Sequence, residues 1–292
     1  MARAAAPRSS LRADARTKIL DCERRALEPQ HLADAVARDP LRFARDHGGD
    51  RDDRILVALL GALMAFGNVD VINKKLGELL GLLGARPAAR VRASTRAELR
   101  SKLRGFVHRT FRGEHVADLL FAIGQDLRAG RGVVGRLEEA YGATGDLPGA
   151  LSEWVTSLRA VAWKDGAKRA QKHLLPDPQG ASASKRLMLF LRWVVRRGPP
   201  DLALVETIPP SALVIPVDVH ILRIAQDLGL TRRTTANWKT AVEITKALSE
   251  IDADDPVRFD FPLCHQGMDR SRERAASKAS LNPPRRPRNG AV

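Results

Sequence analysis

An all-α fold is predicted by three observations on the sequence. Apolar residues recur at three- and four-residue spacings over most of the chain, no run of alternating residues competes with them, and the best strand candidate is interrupted by proline. In order, the helical pattern covers residues 32–38, 53–66, 70–83, 96–104, 114–128, 158–173, 185–197, 219–228 and 238–251. The apolar run 55–67 falls well short of the roughly 20 residues that span a bilayer, so it reads as a buried core helix. The strand candidate, ALVIPV at 212–217, follows Pro209 and Pro210 and contains Pro216. No internal repeat and no long Gly/Ser linker divides the chain. Two helical lobes around one cleft are therefore expected rather than two separate beads.

The 292 residues suffice for one large domain, and apolar (44%) and charged (28%) contents are those of an ordinary folded protein. Lys and Arg (49) exceed Asp and Glu (34) by 15, and the isoelectric point is near 10.7, which makes a polyanion the expected partner. Only Cys22 and Cys264 occur, which excludes a four-cysteine zinc or iron–sulfur site and a disulfide framework. The expected compartment is reducing and cytoplasmic, with no membrane and no metal. The Arg-rich opening MARAAAPRSSLR resembles an organellar transit peptide but reads as a tail.

The charge is localised. Residues 1–25 carry +4 and residues 269–292 carry +5. Their Arg, Ala, Ser and Pro bias predicts disordered tails at 1–20 and 269–292 around a helical domain at 21–268. Within the predicted fold, residues 158–197 carry +8. Here a basic helix is expected to end near His173, LLPDPQGASAS interrupts it with Pro176, Pro178 and Gly180, and a second helix opens at Lys185. A hairpin of this kind aims backbone N–H groups at a phosphate. Lys164, Lys168, Arg169, Lys172, Gly180 and Arg186 are the candidate contacts to a DNA backbone. An ordinary helix-to-helix loop with a solvated face is the plainer reading of the same residues.

Downstream lies PVDVHILRIAQDLGL, residues 216–230. Asp218 precedes the apolar-periodic residues and Gly229 follows them, so Asp218 is predicted as N-cap and Gly229 as the residue after the helix. Capping alone explains that aspartate, at about 1 kcal/mol.

Taken together, the hairpin, the lysine opening the next helix and the downstream VDVHILRI resemble the helix-hairpin-helix superfamily of DNA glycosylases over roughly residues 50–268. The segment LCHQGM at 263–268 resembles that fold's late helix. The hairpin LLPDPQG replaces the common L-P-x-G-x-G, and 33 residues separate Lys185 from Asp218. Both features resemble the archaeal 8-oxoguanine glycosylase branch and a related uncharacterised bacterial family. The resemblance implies a monomeric repair enzyme on double-stranded DNA, associated with the nucleoid and needing no cofactor.

It also implies roles. A base to be excised is first flipped from the duplex. Lys185 would attack C1′ and form a Schiff base, and Asp218 would oppose the positive charge on the sugar. Dense cations and partial burial are expected to lower the lysine's pKa. Asn68 and His265 are candidates for the base pocket, although such residues more often cap or pack. Trp163 and Trp193 flank the basic segment and could stack on a base, but a place in the core is an equal reading and they are not counted among the site residues. A noncatalytic DNA-binding module and an RNA-associated structural protein are the competing classes.

Overall fold

A computed structural model describes residues 11–178 and 184–267, and nearly every regular element in them is a helix. At the centre lies α4 (Arg51–Met64), in which every residue from Ile55 to Met64 is buried. A helix apolar all round must be enclosed by others. It is packed by α3 (Leu41–Arg45), α6 (Pro87–Ala93) and α12 (Lys185–Val195). The side chain of Asp50 accepts the Asp53 N–H at 3.0 Å and starts α4 two residues before its apolar pattern begins.

Elsewhere the elements follow the periodicity within the usual fraying of helix ends. They are α2 (Pro29–Arg38), α5 (Val69–Leu83), α7 (Arg96–Lys102), α8 (Gly113–Arg128), α13 (Val219–Asp227) and α14 (Trp238–Ser249). Three further helices lie outside the expected segments or only overlap them: α1 (Ala13–Ala26), α9 (Gly135–Thr144) and α10 (Leu147–Ala162), the last with Leu147, Ala150, Leu151, Trp154, Val155 and Leu158 buried at three and four spacings that the sequence reading missed. Residues 260–267 are helical as well. Strand β1 (Val107–His108) pairs antiparallel with β2 (Phe111–Arg112), and these are the only strands among the described residues. Residues 212–217 form no strand; a single 3-10 turn covers Pro210–Ala212. The buried apolar residues, from Ile19 to Leu263, make one contiguous core.

Two expectations need correction. Residues 13–20 belong to a packed helix and not to a tail, because Ala15, Ile19 and Cys22, spaced by four and three, are buried. The Cys22 thiol donates to the Pro262 carbonyl at 3.3 Å and Glu23 pairs with Arg258 at 2.6 Å, so α1 is fastened to the C-terminal part of the chain. Residues 1–10 and 269–292 lie outside the described residues. The second correction concerns residues 158–173, which are not one helix. Helix α10 stops at Ala162, Gly166 takes a left-handed φ of 90°, and α11 (Arg169–Leu174) starts anew.

Candidate functional site

Helix α12 begins at Lys185, and Ser184 immediately before it has φ 45°, left-handed for a non-glycine residue. Helix α13 begins just after Asp218. The two helix starts face each other, and Lys185 Nζ donates to Asp218 Oδ2 at 2.8 Å across 33 residues of sequence. The other oxygen, Asp218 Oδ1, accepts the N–H groups of His220 at 2.8 Å and Ile221 at 2.9 Å. One carboxylate thus caps a helix and holds a lysine. The capping reading and the site reading do not compete.

Gly229, with φ 73°, follows the helix as expected, and Leu230 N–H closes its end on the Ala225 carbonyl at 2.8 Å. The late helix at 260–267 packs against α13 at Gly267, where a Cβ would come within 3.1 Å of His220 Cβ and Ile224 Cδ1. Asp260, at the start of that helix, is close enough for its charge to act on Lys185.

The pair is partly accessible: side-chain exposure is 34% for Lys185 and 18% for Asp218. Burial, the largest single influence on Lys185, pulls its pKa down, but Asp218, Cys264 and Asp260 outweigh it and the ammonium is held above its ordinary value. The expected lowering does not occur in the free protein, because the cations counted near Lys185 in sequence point elsewhere while carboxylates surround it in space. Burial works against the charged form of Asp218 too, yet Lys185 and the capping N–H groups leave its pKa lowered. Asp260, enclosed by apolar residues, is pushed up to about 6 by burial, with Arg192 opposing and Asp218 adding to the shift. Burial and the same two carboxylates raise the Cys264 thiol strongly.

The basic segment divides. Lys164, Lys168, Arg169 and Lys172 are exposed and form no ion pair among the described residues. Arg186 does not fit its expected role at a DNA backbone: it is 8% exposed, donates to the carbonyls of Leu63 at 2.6 Å and of His173, and burial lowers its pKa to about 10. Arg192 and Arg196 are equally withdrawn. Arg192 pairs with Asp260 at 2.5 Å and Asp201 at 3.3 Å, and Arg196 pairs with Asp201 at 3.0 Å and Asp255 at 2.8 Å. Gly180 lies outside the described residues.

The two pocket candidates are occupied locally. Asn68 Oδ1 caps α5, accepting from Asp70 at 2.9 Å and Val71 at 3.1 Å. His265 is half-buried, its ring 4.3 Å from that of Phe261. Trp163 and Trp193 are buried in the core. Asp260 escaped the sequence reading, although a lone carboxylate between Phe259 and Phe261 signals a buried acid that needs a cation. Among the described residues no group of three or more His, Cys, Asp or Glu side chains is placed to hold a metal ion, and no helix is long and apolar enough to cross a membrane.

Chemically, the pair sets a primary amine beside a carboxylate that can take its proton, at the meeting of two helix N-termini that favour negative charge. No curated protein and no solved structure matches the chain. Residues 39–269, from α3 through the late helix, match a family described as a protein of unknown function, DUF2400, and the chain belongs to that family.

Proposed function

We propose that this protein is a base-excision glycosylase with lyase activity that acts on an oxidised purine of the 8-oxoguanine kind in double-stranded DNA. The observation that carries the reading is the 2.8 Å contact between Lys185 Nζ and Asp218 Oδ2 at two helix starts, partly open to solvent. Lys164, Lys168, Arg169 and Lys172 supply the exposed charge for the DNA backbone, beside a helix-hairpin-helix turn and a cleft between two helical lobes. The site needs no cofactor. The protein acts as a monomer in the cytoplasm, at the nucleoid.

At rest the pair is ionic. Covering it with DNA removes water from both charges and favours transfer of the proton from Nζ to Asp218. As the bond from C1′ to the base breaks, the base leaves with the electron pair and takes the proton from Asp218, whose regained carboxylate opposes the charge developing on the sugar. The free amine then bonds to C1′. Opening of the sugar ring gives the Schiff base, from which loss of a C2′ proton expels the 3′ phosphate and cleaves the strand.

One observation favours a noncatalytic DNA-binding module instead: the raised pKa of Lys185, which keeps the amine protonated in the free protein. Excision by Asp218→Asn separates the two readings. Asn caps a helix as well as Asp does, so the melting temperature stays near that of the parent. Excision from a damaged duplex, read by alkali cleavage, falls by at least about two orders of magnitude, the scale of losing one preorganised charge. Equal excision by the variant overturns the role of Asp218. Tight duplex binding by the parent without excision of any oxidised base leaves the module.

A further inference from the structure

The turn after α4 and the tip of the β1–β2 hairpin meet beside α11, in a cluster that shares no side chain with the Lys185–Asp218 pair. Phe66, half-buried, has His108, Phe111 and His173 around it, with ring centroids 5.0, 5.0 and 5.1 Å away. Two guanidiniums approach the same ring, buried Arg186 at 5.1 Å and exposed Arg109 at 5.5 Å. Arg109 sits at the hairpin tip with φ 53°, a conformation that costs free energy in a residue with a side chain. It makes no hydrogen bond or ion pair among the described residues.

The charges acting on the two imidazoles are cationic. Burial first, then Arg109, Lys75 and Arg186, hold His108 below its ordinary value against one backbone contact that raises it. Burial, Arg186, Arg109 and Arg169 do the same to His173. Neither ring gains a charge that would repel the neighbouring guanidiniums; His108 is buried beneath the patch, whereas His173 is exposed and can meet a base. Arg186 follows Lys185 directly in the chain and clamps the Leu63 and His173 carbonyls. The turn after α4, α11 and the start of α12 are thereby held as one piece.

We propose that this patch is a second contact for DNA and takes an unpaired nucleotide, with Arg109 on a phosphate and the faces of Phe66 and His173 against the exposed base. Aromatic rings beneath a solvent-facing guanidinium suit a nucleotide, since every base offers a π-face and every phosphate a negative charge. A strained arginine without an acidic partner suits an anion that arrives from outside. The inference rests on the duplex-DNA reading of the Lys185–Asp218 site and adds to it a preference for locally unpaired DNA.

The test compares the affinity of the full chain for an intact labelled duplex and for the same duplex with one bulged nucleotide, at fixed salt. The parent binds the bulged duplex about tenfold more tightly, the scale of one base–aromatic stack. Arg109→Gly and Phe66→Leu each reduce that preference to within about twofold, while binding of the intact duplex changes little, because it depends on many backbone contacts. Glycine adopts φ 53° freely, so the melting temperature of Arg109→Gly is equal to or above that of the parent, which separates lost recognition from misfolding. A preference that survives both variants, an equal loss on the two duplexes, or a parent that binds both alike overturns the proposal. A parent that excises bases yet shows no preference overturns this inference alone. A parent that binds no duplex overturns it together with the glycosylase reading.

Discussion

Lys185 and Arg192 lie two turns apart on α12 with the same formal charge and opposite surroundings. Lys185 retains 34% of its side-chain exposure and faces one carboxylate at 2.8 Å. Arg192 retains 3% and is held between Asp201 and Asp260. One end of the helix presents a cation to incoming molecules, and the other uses cations to close the interior. Net charge along a segment cannot make this distinction, because the neutralising carboxylates come from residues 201, 255 and 260. The +8 of residues 158–197 thus overstates the charge available to a polyanion. Three of its arginines, Arg186, Arg192 and Arg196, are buried.

The largest effect expected from this contrast is on stability. Arg192→Met leaves Asp201 and Asp260 buried without that cation and costs about 3–5 kcal/mol in urea unfolding. Lys185→Gln removes one partner of a pair that is only partly buried, and Asp218 keeps its two capping N–H bonds, so it costs less, about 1–2 kcal/mol. Similar losses for the two variants would erase the distinction between the two ends of α12.

A smaller effect lies in the pH dependence. Asp260 has its pKa raised from the ordinary 3.8 to about 6, so the folded protein holds that proton more tightly than the unfolded chain. Its contribution to stability is complete below about pH 4 and is lost as the pH rises through about 6. Asp218, with a lowered pKa, does the reverse: its contribution is complete above its ordinary value of 3.8 and is lost as the pH falls through its lower folded value. Urea unfolding of the parent and of Asp260→Asn between pH 4 and 8 should show the parent losing ground to the variant from about pH 4 to 6 and a constant difference above. A difference that does not change with pH would place Asp260 in a less confined setting. Arg192, Lys185 and Asp218 are the charges that face it.

Legibility in the sequence follows the same division. Local signals were sufficient for the cap at Asp218, the glycine at 229, the lysine opening α12 and the enclosed helix α4, since each depends on neighbours within a turn or two. Where the answer depends on distant residues, the sequence is silent: nothing near Arg186 announces the Leu63 and His173 carbonyls that bind it. Helix α1 was hidden by its Arg- and Ala-rich composition, although Ala15, Ile19 and Cys22 carry the spacing. The break between α10 and α11 turns on one glycine inside an otherwise helical pattern. Strands of two residues are too short for periodicity, which concealed the hairpin that carries Arg109.

The central claim, that Lys185 is a nucleophile poised against Asp218, is tested most directly by borohydride trapping on a duplex containing 8-oxoguanine. Reduction freezes the Schiff base between Nζ and the sugar, so the parent gives a covalent protein–DNA adduct. Lys185→Gln gives none while still binding the duplex, since one contact among many is a small loss. An adduct that persists in Lys185→Gln, or a parent that binds the duplex tightly and yields no adduct, would contradict the account.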